Sequence, residues 1–93
     1  MNNARHLSYR SVLRSLAGTP EWLLDRHERE RLRDLAEGLL LTTDDDEAES
    51  LRRDAALALS LLVGQKRWDD ARADRLWHDI SDCGPERVAA SAA

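Results

Sequence analysis

The sequence predicts an all-α fold: a compact four-helix bundle-like domain with a central, nearly all-round apolar third helix. Three observations carry this expectation. Leucine and alanine dominate while phenylalanine is absent and β-branched residues are few, a composition that favours helix over sheet. Apolar residues recur at three- and four-residue spacing in separate stretches. Glycine, proline and aspartate stand between those stretches, where helices stop and start.

The first helix is expected over about residues 4–17, because Tyr9, Val12, Leu13 and Leu16 fall at i, i+3, i+4 and i+7. Gly18 ends it. Thr19 as N-cap, Pro20 in the first helical position and Glu21 at the positive end of the dipole then suit a new start. The second helix is clearly amphipathic only in its later half, through Leu32, Leu35, Ala36, Leu39 and Leu40. Ahead of that half lies the polar run DRHERER, in which His27, Glu28 and Arg31 would occupy the apolar stripe of a continuous helix. Either the helix projects past the core there, or PEWLL is a separate turn and Asp25 caps the helix that follows. The break is the preferred reading.

Asp44 with Glu47 three residues later has the spacing of a capping box, and the acids of TTDDDEAES suit a helix N-terminus. The third helix runs from there to about Val63. Gly64 is expected in the left-handed C′ position, with Lys66 and Arg67 offsetting the C-terminal dipole. Asp69 caps the fourth helix, Trp68 and Ala73 form a hydrophobic staple, and Ala73, Leu76, Trp77 and Ile80 make its inner face. CGP stops it. Ninety-three residues make one domain, assigned to 1–84, with 85–93 as a flexible C-terminal tail.

The third helix raises the question that bears on function. In DAALALSLLVG, Ala55, Ala58, Leu59 and Leu62 make one stripe, but Leu57 and Leu61 lie off its flank and Ala56 and Val63 elsewhere around the helix. Either the other helices wrap it on all sides, or one flank is left for a second chain. Monomers rarely expose large contiguous apolar patches, so Leu57 and Leu61 are the candidate self-association residues.

Composition excludes several classes of function. A formal charge of −4 argues against a general nucleic-acid or anionic-membrane binder. Cys83 is alone, so an internally disulfide-stapled secreted fold is excluded and a reducing cytoplasm is expected. The N-terminus lacks the apolar core of a signal peptide, and no segment approaches the ~20 apolar residues that cross a bilayer. Arginine outnumbers lysine thirteen to one, the bias of a GC-rich, bacterial-type genome.

Candidate chemistry is sparse. Asp74, His78 and Asp82 share one stripe of the fourth helix, a spacing compatible with zinc or base catalysis, but the ligand set is incomplete and the solvated reading is preferred. Cys83, five residues from His78, is not on its face and reads as a structural thiol. DDDEAE lacks the glycine and terminal glutamate of a calcium loop. No glycine-rich phosphate loop, HExxH or nucleophile elbow is present, so no catalysis, metal or cofactor is expected.

The functional expectation is therefore a small non-catalytic protein–protein interaction module, an adaptor, inhibitor or subunit of a larger complex, with a homodimer among its forms. Trp22 beside the charged run has the composition of an interface hot spot, which makes Trp22, His27, Glu28 and Arg31 the candidate partner-binding residues. The alternative is a nucleic-acid-associated regulator. It would use Arg5, Arg10 and Arg14 of the basic first helix, with Arg26, Arg29 and Arg33 in support. A helix-turn-helix reading through the fourth helix is rejected, because Asp69, Asp70 and Asp74 at its entering end would repel phosphates.

Overall fold

The computed structural model describes residues 4–85, which form four α-helices and, among those residues, no strand. Of the flexible tail expected at 85–93, Pro85 is held through its carbonyl by Arg52, and residues 86–93 lie outside the described residues. In chain order the helices are α1 (Ala4–Ala17), α2 (Arg26–Leu41), α3 (Asp45–Gly64) and α4 (Asp70–Ser81). Each packs against its sequence neighbours, and α1 closes the ring against α4. Across the diagonal α2 meets α4, so these two helices occupy the centre and α1 and α3 the flanks.

The amphipathic stripes explain the packing. Val12 and Leu16 of α1, Leu32, Leu35, Ala36 and Leu39 of α2, Ala48, Ala55, Leu59 and Leu62 of α3, and Ala73, Leu76 and Ile80 of α4 share one core. Each set repeats at three- and four-residue steps, the spacing that keeps side chains on one helical face. Trp68 and Leu24 enter the same core from the connections. Burial of a leucine-sized side chain contributes about 1.5–3 kcal/mol, so these residues carry most of the favourable energy.

The break before α2 is real. Pro20–Leu24 forms a turn in which the Leu23 and Leu24 amides donate to the Pro20 carbonyl. Thr19 is therefore not an N-cap: it is buried, and its hydroxyl donates to the Ser15 carbonyl at 2.7 Å. The cap is Asp25, whose carboxylate accepts from the Glu28 amide at 2.8 Å while Glu28 Oε1 accepts from the Asp25 amide at 3.0 Å. This is a complete capping box. At Asp44 only half of one forms. Its carboxylate accepts from the Asp46 and Glu47 amides, and its own amide donates to Thr42 Oγ1.

The end of α3 also differs from expectation. Gly64 stays in the helix, Gln65 is the C-cap, and Lys66 takes the left-handed conformation at φ 60°. The Arg67 amide donates to the Leu62 carbonyl and the Lys66 amide to that of Val63. That is a Schellman motif with Lys66 at C′, two residues later than the glycine suggested. Asp69 caps α4 as expected, accepting from the Arg72 amide at 2.7 Å.

The third helix is not central. It packs on α2 and α4 alone, and α1 does not reach it among the described residues. Two neighbours cannot cover an all-round apolar surface, so Leu57 and Leu61 remain 60% and 65% exposed.

Candidate functional site

Three arginines that look like surface charge in the sequence are fixtures of the fold. Arg5 donates from Nε to the Cys83 carbonyl at 2.8 Å and from Nη2 to the carbonyls of Leu39, Leu40 and Thr42 at 2.7, 2.9 and 3.1 Å. Arg29 donates to the carbonyls of Leu16, Thr19 and Leu24. Arg52 is buried in the α3 stripe and donates to the Ser81 and Pro85 carbonyls at 3.0 and 2.7 Å. The last carbonyls of a helix have no partner within it and carry the negative end of the dipole. Arg29, Arg5 and Arg52 supply those partners at the ends of α1, α2 and α4 respectively.

This arrangement decides which side chains remain available for contact with another molecule. Of the basic first helix, Arg5 is spent on the chain's own backbone, while Arg10 and Arg14 stay exposed. Arg14 lines an open cleft with Arg72 and Arg75, but Asp69 and Asp79 line it too, so its charge is mixed. Arg72 lies over the Trp68 ring at 4.9 Å, a cation–π contact. The supporting set is likewise divided: Arg29 is bound to carbonyls, Arg26 pairs with Glu30 at 3.5 Å, and Arg33 is exposed.

The expected partner-binding residues separate in the same way. Trp22 stands out from the Pro20–Leu24 turn at 76% exposed, and His27 and Arg31 are exposed one turn apart on α2. Glu28 is not available with them. Besides completing the capping box it accepts two hydrogen bonds from Arg67, at 2.7 and 2.8 Å, tying the α3–α4 connection to the start of α2. Those bonds raise the Arg67 pKa further above its ordinary value. The spacing Asp25-x-x-Glu28 was the signal for this role.

The other tryptophans are structural. The Trp68 indole N–H donates to the Leu23 carbonyl at 2.9 Å and that of Trp77 to the Arg52 carbonyl at 3.2 Å. Asp74, His78 and Asp82 all point to the exposed side of α4, and among the described residues no cluster of His, Cys, Asp or Glu is placed to hold a metal ion. Cys83 is fully buried, its thiol donating to the Asp79 carbonyl at 3.3 Å. Burial, with Asp79 and Asp82 nearby, pushes its pKa up to about 12. It is a poor nucleophile at neutral pH.

What remains on α3 is an exposed leucine pair and, around the helix from it, a groove against α4. Leu57 and Leu61 are four residues apart on the outer face of α3, and Ser60 and Gly64 follow them at i+3. Ser60 and Gly64 in turn line a groove of about 450 Å³ between α3 and α4, shared with Ala56, Val63, Asp74 and Trp77. Leu7 on α1 and Leu41 at the end of α2 are also exposed. No helix of the described residues is long and apolar enough to cross a membrane. Comparison of the chain with protein-family models, with curated proteins and with solved structures finds no match.

Proposed function

We propose that the chain is a non-catalytic protein–protein interaction module of a bacterial-type cytoplasm, and that its contact surface is the outer face of α3. The observation that carries this reading is the pair Leu57 and Leu61, exposed on adjacent turns of one helix beside an apolar groove. Scattered exposed leucines are ordinary; a pair at i, i+4 on one helix with an apolar groove on its neighbouring flank is the composition of an interface. Trp22 is a secondary anchor at a separate place. The acceptor is a subunit of a larger complex or a second copy of the chain.

The test is photo-crosslinking in cells that produce the chain naturally, with a photoreactive amino acid placed in turn at Leu57, Leu61 and the exposed control Glu30. A discrete protein adduct from both α3 positions and none from Glu30 is the expected result; an adduct of twice the chain mass identifies a homodimer. Equal labelling at all three positions, or none at any, overturns the reading.

A further inference from the structure

Resting on that reading, we infer that the α3–α4 groove receives a basic amphipathic helix of the partner, apolar side chains down and lysine or arginine against Asp70 and Asp74. The groove has an apolar floor from Ala56, Leu59, Val63, Ala73 and Trp77, and its only charged lining residues are those two aspartates. They are four residues apart and exposed on one side of α4. Among the described residues neither forms an ion pair. Like charges at i, i+4 disfavour a helix, and cations spaced at one helical turn on a docked segment relieve that repulsion.

The shape selects a helix. The groove runs between two packed helices and is edged on α3 by Ser60 and Gly64, with a floor that suits side chains at i, i+3, i+4 and i+7 of one apolar face. The opposite groove, between α1 and α2, is the contrast: Leu13, Leu16 and Ala17 form its floor, but Arg26, Arg29 and Arg33 stand around it with Glu30. A basic segment is repelled there and attracted to the α3–α4 side, so the two grooves discriminate by charge.

The test uses the full chain and two synthetic peptides. Both are amphipathic helices with the same leucine and alanine face; one carries lysine at i, i+4 on its flank and the other glutamate. Amide and indole shifts of the ¹⁵N-labelled chain are followed during titration. The lysine peptide is expected to give saturable shifts at Ala56, Ser60, Val63, Gly64 and the Trp77 indole, and the glutamate peptide none there. Asp74→Asn alone should weaken the lysine peptide about threefold, and Asp70→Asn with Asp74→Asn about tenfold, while far-UV circular dichroism stays that of the parent.

Equal binding of both peptides, unchanged binding by the double variant, or saturation without shifts in the groove overturns the inference. So do groove shifts that depend on chain concentration without peptide, which assign the groove to a second copy. Failure of the lysine peptide with crosslinks persisting at Leu57 and Leu61 removes the basic helix and leaves the interaction function standing; loss of the crosslinks removes both.

Discussion

Arg52 gives the sharpest energetic test of how the chain ends its helices. Replacing it with methionine keeps a flexible apolar stem in the core and removes the guanidinium that holds the Ser81 and Pro85 carbonyls. Ser81 retains a bond from the Gly84 amide at 3.2 Å, whereas the bond from Arg52 to Pro85 is the shorter, at 2.7 Å. Hydrogen bonds to charged groups contribute about 1.5–3 kcal/mol each. The exchange also relieves the desolvation of a buried cation, which offsets part of the loss. The net cost is about 2–4 kcal/mol, a large share of the 5–15 kcal/mol or so that holds a domain together. At roughly 4–8 °C per kcal/mol for a domain of this size, the midpoint falls by about 10–25 °C. Urea unfolding followed by tryptophan fluorescence, with thermal melting by circular dichroism, measures it. Arg52→Lys, with one ammonium in place of a fork, should lie between the two. A methionine variant within about 0.5 kcal/mol of the parent refutes the argument that Arg52 caps α4.

Three other outcomes follow from local geometry. Lys66→Gly removes a left-handed non-glycine residue from the Schellman motif and should raise stability by about 1 kcal/mol in urea unfolding. Gly84→Ala places a Cβ 2.8 Å from Arg52 Nη2 and from a Leu39 methyl, so it should cost about 1–3 kcal/mol in the same assay. Cys83 holds its proton to about pH 12 in the folded chain, whereas the unfolded thiol releases it near its ordinary value of 9.0. The unfolded state therefore binds fewer protons between these values, and stability falls as pH rises from about 9 towards 12. Cys83→Ala should flatten that part of the pH–stability curve, and native Cys83 should resist alkylation at pH 8 until the chain is unfolded.

Much of the architecture is legible because periodicity and punctuation agree. The stripes of α1, α2 and α4, the Asp69 cap and the break before Arg26 all follow from residue spacing. The exceptions have physical causes. Gly64 is a good C′ residue locally, but Leu62 and Val63 belong to the core and cap geometry, and their carbonyls are reached only when the turn comes at Lys66. Thr19 looks like a cap until Asp25 and Glu28 close a better one, and Arg29 then binds the Thr19 carbonyl.

The arginines were the least legible part of the candidate site. Arg5 and Arg29 reach carbonyls far along the chain, contacts that no spacing encodes. Arg52 did leave a trace: it stands four residues after Ala48 and three before Ala55, on the core stripe of α3. The apolar surplus of α3 was visible in DAALALSLLVG, but its placement required the helix packing. Only the finding that α2 and α4 occupy the centre puts Leu57 and Leu61 on the outside.

The central claim is that these two leucines are surplus to the chain's own fold, and thermal unfolding of a Leu57→Gln, Leu61→Gln double variant and its parent, both at a dilution where light scattering gives the monomer mass, tests it most directly. Exposed helix positions change stability by about 0.5 kcal/mol or less each, so the midpoint should stay within about 8 °C of the parent. A loss above about 2 kcal/mol, read as a midpoint more than about 10 °C lower, would mean that Leu57 and Leu61 hold the chain's own core together, and the outer face of α3 would not be free for a partner.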